Sequence, residues 1–168
     1  MEELKYLTGF SVDLIQSVQR LIDEKRLGEV ILKKYPAAHD VRSDKQLYAY
    51  VISLKSEFLR QSPPISRVAF DDKISVLHQA LGMHRFVSRV QGKKLKASNE
   101  IRIASVFKKM PVPFLRMITV HELAHIREKE HNRAFYKMCA HMEPDYWQLE
   151  FDTRMYLTHL EQFGPLYE

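Results

Sequence analysis

Features that would cross-link, export or anchor the chain are scarce in this sequence. It contains one cysteine, Cys139, so no intramolecular disulfide can form, which suits a reducing compartment. No stretch approaches the ~18 apolar residues that a membrane-spanning helix needs. The N-terminus lacks the basic-then-apolar pattern of a secretory signal. We therefore expect a cytoplasmic protein without a membrane segment, in which Cys139 is a small buried residue rather than a nucleophile.

Repeats, low-complexity segments and long linkers are also absent from the sequence. Hydrophobic residues make up 45% and charged residues 28% of the chain, as in ordinary soluble globular proteins. A chain of 168 residues is long enough to bury a core of its own. These features predict one domain over residues 1–168, with a helical part over 1–62 and a sheet plus the remaining helices over 65–168.

Acidic residues are outnumbered, 21 against 26 lysines and arginines, which gives a formal net charge of +5. This balance permits an anionic small molecule or a nucleic acid as a partner but requires neither. Basic residues concentrate at positions 85–109, where a solvated edge that protects a strand from pairing is one interpretation. The other is an anion-binding rim, for which the candidates are Arg89, Lys93, Lys94 and Arg102.

Apolar periodicity predicts helices at both ends of the chain. Residues 11–27 form the first, with Gly28 as a plausible C-cap. Residues 43–46 have the form of a capping box, which predicts a helix that ends at Pro63. A last helix over residues 146–162 carries aromatic side chains that we interpret as packing rather than as a platform for base stacking.

The middle of the chain has the pattern of short strands. Residues 65–70 predict one strand, and residues 86–90 predict another before a turn signal at 91–94. Residues 100–105 alternate with period two and predict the returning strand of a hairpin. We therefore expect a small antiparallel sheet just before the next helix.

Residues 121–131 hold the clearest chemical signal. They begin H-E-x-x-H, and because positions i and i+4 lie on one face of a helix, His121 and His125 can direct imidazole nitrogens to one point. His131 follows His125 at the spacing of a third ligand just past the helix end. Glu122 is offset by about 100° around the helix, so it would reach water at the metal rather than the metal itself, as a general base does.

Two histidines four residues apart can also be ordinary surface residues. Here the surrounding apolar residues predict a buried helix, and a buried His–Glu–His set needs a partner such as a metal. Asn132 can N-cap a new helix directly after His131, so the chain turns where the third ligand requires it. We therefore predict one divalent metal, with Zn²⁺ well suited to three His ligands and Mn²⁺, Co²⁺ and Ni²⁺ compatible. His141 has a less suitable spacing and is expected to be structural.

Several runs of this sequence resemble the YgjP-like metallopeptidase-domain family. They lie at residues 114–125, 128–136 and 141–146, and the resemblance extends upstream to 88–93 and the N-terminal helices. It therefore covers nearly the whole chain. The resemblance implies a compact zincin-type α+β fold with N-terminal helices, a small antiparallel sheet, an active helix and C-terminal helices.

The resemblance also implies two competing activities. The family is named for a peptidase-like motif, yet a member is assigned as a nucleoside-triphosphate pyrophosphatase that converts UTP to UMP and pyrophosphate; such a substrate could bring Mg²⁺. A zinc peptidase would instead pair an extended peptide with the strand at residues 100–105. A third interpretation is a basic adaptor that retains a structural metal, although a structural site would have no need of Glu122.

Overall fold

The computed structural model describes residues 4–74 and 99–168, together with the backbone of two intervening strands. Its fold is mixed α and β, which confirms the predicted class. The helices of the described residues are α1 (Val12–Asp23), α2 (Leu27–Lys34), α3 (Asp44–Phe58), α4 (Val112–Ala124), α5 (Arg133–Met142) and α6 (Tyr146–Phe163). The strands are β1 (Ile65–Asp71), β2 (Ser88–Gln91), β3 (Lys94–Ala97) and β4 (Asn99–Ala104), and 3₁₀ segments cover Lys5–Leu7 and Ser105–Lys109.

The predicted first helix ends earlier than expected, at Asp23, and a separate helix, α2, begins at Leu27. Between α1 and α2 the backbone of Lys25 has φ of 56°, a left-handed conformation that an α-helix cannot continue. Gly28 lies inside α2, so the expectation that it caps the preceding helix was wrong. A β-carbon at Gly28 would lie 2.8 Å from Nε2 of His159, so the glycine allows α2 to pack closely on α6.

The capping residues behave as predicted. Ser43 Oγ accepts a hydrogen bond from the Gln46 backbone N–H at 3.1 Å, and Gln46 Oε1 accepts one from the Ser43 N–H at 3.2 Å. Asn132 Oδ1 accepts from the Phe135 N–H at 2.8 Å and so begins α5. These side chains satisfy helix N–H groups that have no partner within the helix, which is why short-range sequence pattern identifies them.

The pairing of the strands differs from the prediction. β1 and β4 run parallel, with Val68 opposite Ile101, so the expected antiparallel arrangement was wrong for this pair. The antiparallel hairpin joins β2 to β3, so residues 99–104 are not its returning strand. Alternating apolar residues predict a strand but not its neighbour, because parallel and antiparallel ladders both bury alternate side chains. The predicted strand start at residues 86–87 lies outside the described part of the chain.

Helix α4 lies at the centre of the apolar core. It contacts α3, α5, α6 and β4, and every residue from Met117 to Ala124 is buried. Core residues come from the whole length of the chain, from Leu4 to Tyr167. The predicted division of the domain into a part over residues 1–62 and a part over residues 65–168 stays a prediction. Within the described residues no helix combines the length and the hydropathy needed to cross a membrane. Because residues 117–124 of α4 and His125 are buried, the H-E-x-x-H motif lies in the protein interior.

Candidate metal centre

The three predicted ligands converge on one point. Nε2 of His125 lies 3.2 Å from Nε2 of His121 and 3.0 Å from Nε2 of His131, and the remaining pair of Nε2 atoms is 3.3 Å apart. Ligand nitrogens at ~2.0–2.1 Å from a tetrahedral zinc ion are separated by about 3.3–3.4 Å. The spacing therefore fits a divalent metal held by these three side chains.

The backbone at the end of α4 produces this convergence. His125 keeps helical angles, with φ of −66° and ψ of −15°, so it remains on the same face as His121. The next N–H groups then form tighter bonds, as when Ile126 N donates to the Leu123 carbonyl at 3.1 Å. The chain leaves the helix there and re-enters α5 at its Asn132 cap. His131 is thus placed beside the other two histidines.

The outer nitrogens of two imidazoles have defined partners. His125 Nδ1 lies 2.9 Å from the Glu128 carbonyl oxygen, to which it can only donate, so its Nε2 carries the lone pair. His121 Nδ1 lies 2.8 Å from the Tyr146 hydroxyl. Such partners fix the tautomer and the ring orientation of a metal-binding histidine. One cation placed among the three Nε2 atoms would satisfy all of them.

Tyr146 is itself fixed by contacts to α4. Arg116 Nε donates to Glu143 Oε2 at 2.6 Å, and Arg116 Nη2 donates to the Met142 carbonyl at 3.1 Å. The Glu143 carboxylate also accepts from the Asp145 N–H at 3.1 Å. These bonds hold the turn that leads into α6, where burial raises the pKa of the Tyr146 hydroxyl far above its ordinary value. Tyr146 therefore presents a neutral phenol to His121.

Phe135 packs against all three histidines. Its ring is fully buried, lies 4.4 Å from the His125 ring at an interplanar angle of 28°, and meets the rings of His121 and His131 nearly edge-on at 5.0 and 4.9 Å. Contact on several sides limits rotation of the imidazoles. This role of Phe135 was not predicted from the sequence, although its position three residues after the Asn132 cap was an available signal.

Glu122 directly follows His121 in the sequence and is buried. Its residue is 6% exposed, compared with 5% for His121 and 1% for His125. Its carboxylate is not part of the convergent ligand set in the described chain, which consists of the three histidines. This placement is consistent with a carboxylate that acts on water, and the role of general base stays a prediction.

Two further residues of α5 considered from the sequence, His141 and Cys139, do not belong to the histidine cluster. His141 is exposed, packs edge-on against Phe58 with ring centroids 5.8 Å apart, and is not in the histidine cluster. Cys139 is fully buried, and burial raises the pKa of its thiol to about 12. A protonated, inaccessible thiol is not a nucleophile, which confirms the prediction for Cys139.

Of the basic residues proposed to bind an anion, Arg102 has a described side chain. It lies on β4, and its Nη1 donates to Asp71 Oδ2 at 3.0 Å. That ion pair reduces the charge Arg102 can offer to a substrate. Arg89 and Lys94 are described by their backbone alone, in β2 and β3, and Lys93 lies outside the described residues. A role for these residues in substrate binding therefore stays a prediction.

A cavity of about 270 Å³ opens at the histidine cluster. Its described lining consists of Thr8, Gly9, Phe10, His121, His131, Tyr136, Tyr146, Trp147, Glu150 and Arg154. Arg154 donates from Nε to Glu150 and from Nη1 to the Tyr6 carbonyl, the latter at 2.8 Å, so it fastens the N-terminal segment to α6. This cavity could not be predicted from the sequence, because its walls come from segments far apart in the chain.

A buried H-E-x-x-H helix with a third histidine beside an open cavity defines a metallohydrolase type of site. Comparison with known proteins agrees: the sequence profile described as YgjP-like, metallopeptidase domain, matches residues 86–152. A UTP pyrophosphatase of Escherichia coli (strain K12) is 59% identical over 160 residues, which cover 95% of this chain and 96% of that protein. The chain belongs to the YgjP-like family. No solved structure matches it significantly.

Proposed function

We propose that this protein is a metal-dependent nucleoside-triphosphate pyrophosphatase that acts on UTP. The observation that supports the hydrolase site is the convergence of three Nε2 atoms within 3.0–3.3 Å of one another at a cavity. The choice of UTP rests on the 59% identity to a UTP pyrophosphatase along nearly the whole chain. Peptidase activity has the shared family motif as its support and no comparable relative.

His121, His125 and His131 would hold one divalent metal, for which Zn²⁺ is our first choice. When bound, such a cation lowers the pKa of a coordinated water toward ~7 and neutralises charge on phosphate oxygens. The described ligand set contains three protein side chains, which leaves a coordination position for catalysis, whereas structural zinc sites usually have four. This argues against the adaptor interpretation. Mg²⁺ could accompany the triphosphate.

Glu122 would accept the proton of the attacking water. The water oxygen forms a bond to the α-phosphorus, and the bond from that phosphorus to the oxygen bridging the β-phosphorus breaks. Pyrophosphate leaves with the electron pair, and UMP is the other product. Arg89, Lys93, Lys94 and Arg102 are proposed to stabilise the negative charge of the phosphates.

The test is a comparison of substrates with product analysis. Metal-loaded protein is incubated side by side with UTP, other nucleoside triphosphates and unstructured peptides, and the products are separated by ion-exchange chromatography. We expect UMP and pyrophosphate in equal amounts, with turnover of UTP exceeding that of any peptide. Release of UDP and phosphate, or faster cleavage of a peptide, would contradict the proposal.

A further inference from the structure

The cavity at the histidine cluster has an aromatic wall, which we define as Tyr136 and Trp147. Their ring centroids lie 4.6 Å apart at an interplanar angle of 31°, and both side chains line the same cavity as His121 and His131. Trp147 is 55% exposed, which is unusual for so large an apolar side chain. An exposed indole that lines the cavity of the candidate metal centre calls for an explanation beyond core packing.

Packing accounts for the neighbours of Trp147 but not for Trp147 itself. On the same helix, Tyr146 and Leu149 are 2% and 7% exposed and supply the buried face. The indole is held in place by Tyr136 and by the edge of Tyr146, whose ring centroid is 5.6 Å away. A large, rigid, partly exposed aromatic surface is suited to stacking against a planar ligand. The interpretation of the α6 aromatic side chains as packing, made from the sequence, does not account for the exposed surface of Trp147.

The charges near the aromatic wall favour binding of an uncharged part of a ligand there. The Glu150 carboxylate, which also lines the cavity, accepts a hydrogen bond from Arg154. Because Arg154 balances that carboxylate, the aromatic part of the cavity presents little net charge among its described residues. The histidine cluster, with its cation bound, would be the positive part. A ligand with a neutral planar group and a separate anionic group matches this division.

We infer that Trp147, supported by Tyr136, stacks on the nucleobase of the substrate while its phosphates face the histidine cluster. The inference rests on the proposed function and adds a binding role for the base. Stacking tolerates any base, because every base has a π face. The aromatic wall would therefore distinguish nucleotides from polyphosphates without a base, and discrimination between bases would need other contacts.

Steady-state kinetics of Trp147 variants test the inference. Base–aromatic stacking is strong enough that Trp147→Ala should raise KM for UTP about tenfold, with kcat within about threefold of wild type. Trp147→Phe keeps an aromatic ring and should recover most of the affinity. Phe163→Ala is the matched control, because Phe163 is also an exposed aromatic residue of α6, at 50%, and does not line the cavity. Its KM should equal that of wild type.

A binding measurement separates this inference from the proposed reaction. Trp147 is the only tryptophan of the chain, so intrinsic tryptophan fluorescence reports on this position alone. Metal-loaded wild-type protein is titrated with UMP and, separately, with ribose 5-phosphate, with excitation where UMP does not absorb. Saturable quenching by UMP that ribose 5-phosphate does not produce would support stacking.

The outcomes are distinct. If UTP is hydrolysed but UMP does not quench and Trp147→Ala leaves KM unchanged, the base subsite is wrong and the proposed function stands. If UMP quenches but UTP is not hydrolysed, the proposed reaction is wrong and the base subsite stands. Quenching by an aromatic amino-acid amide but not by UMP would overturn the inference in favour of a site for a peptide side chain.

Discussion

His121 Nδ1 lies 2.8 Å from the hydroxyl of Tyr146, a contact that joins α4 to the start of α6. The phenol is buried and neutral, so its oxygen can accept a hydrogen bond from the Nδ1–H of His121, which leaves the Nε2 lone pair directed at the other histidines. The orientation of the His121 imidazole in the candidate metal centre therefore depends on Tyr146, a residue outside the H-E-x-x-H motif.

Tyr146→Phe removes that hydroxyl and keeps the ring. We expect metal affinity to fall about 10–100-fold, the usual effect of losing a hydrogen-bond partner of a metal-binding histidine. Affinity is measured by competition with a chromogenic chelator. Tyr156→Phe is the control, since Tyr156 is equally buried on α6 and its hydroxyl accepts from the Leu166 N–H. Equal affinities for the two variants would show that the contact does not orient His121.

Phe135→Leu tests whether the Phe135 ring, which contacts all three histidines, holds their imidazoles in position. A smaller, non-planar side chain leaves the imidazoles free to rotate, so we expect weaker metal binding together with a loss of about 1–2 kcal/mol in the free energy of unfolding. Phe107→Leu is the control, because Phe107 is equally buried and makes no described ring contact with the ligands. It should lose similar stability, measured by urea unfolding, and keep its metal. Similar metal affinity for both variants would contradict the role of Phe135.

The clustering of the three histidines and the helix caps could be predicted from the sequence because each depends on residues within one or two helical turns. His121, His125 and His131 span the end of one helix and the start of the next, and Asn132 marks the turn between them. The parallel pairing of β1 with β4, the close approach at Gly28 and the aromatic wall could not be predicted. Each depends on contacts between segments distant in sequence, which local periodicity does not encode.

His39 predicts a pH dependence of stability that does not involve the metal centre. Its Nε2 donates to the Phe107 carbonyl at 2.7 Å and its Nδ1 accepts from the Val41 N–H at 2.9 Å, so the folded protein holds it neutral. Burial lowers the pKa of His39 below its ordinary value. The unfolded chain therefore binds this proton more readily, and the stability that His39 contributes is complete above about pH 6.5 and falls as the pH decreases.

Urea unfolding at a series of pH values checks this expectation. Both wild type and His39→Gln are measured with chelator present, so that release of a bound metal does not contribute to the difference in stability between them. We expect the variant to be less stable than wild type near neutral pH, and the difference between them to narrow as the medium becomes acidic. A difference that stays constant with pH would mean that His39 is not held neutral.

Whether the histidine cluster and Glu122 form a hydrolytic site is best decided by measuring kcat of Glu122→Gln for UTP at matched metal content. The amide keeps the size of the side chain but cannot accept a proton from water. For Glu122→Gln we predict a metal content equal to that of wild type and a kcat that is 10²–10⁴-fold lower. The triple variant with His121→Ala, His125→Ala and His131→Ala is predicted to lose the metal. A fully metal-loaded Glu122→Gln protein that releases UMP and pyrophosphate within about tenfold of the wild-type rate would show that Glu122 is not the general base of this site.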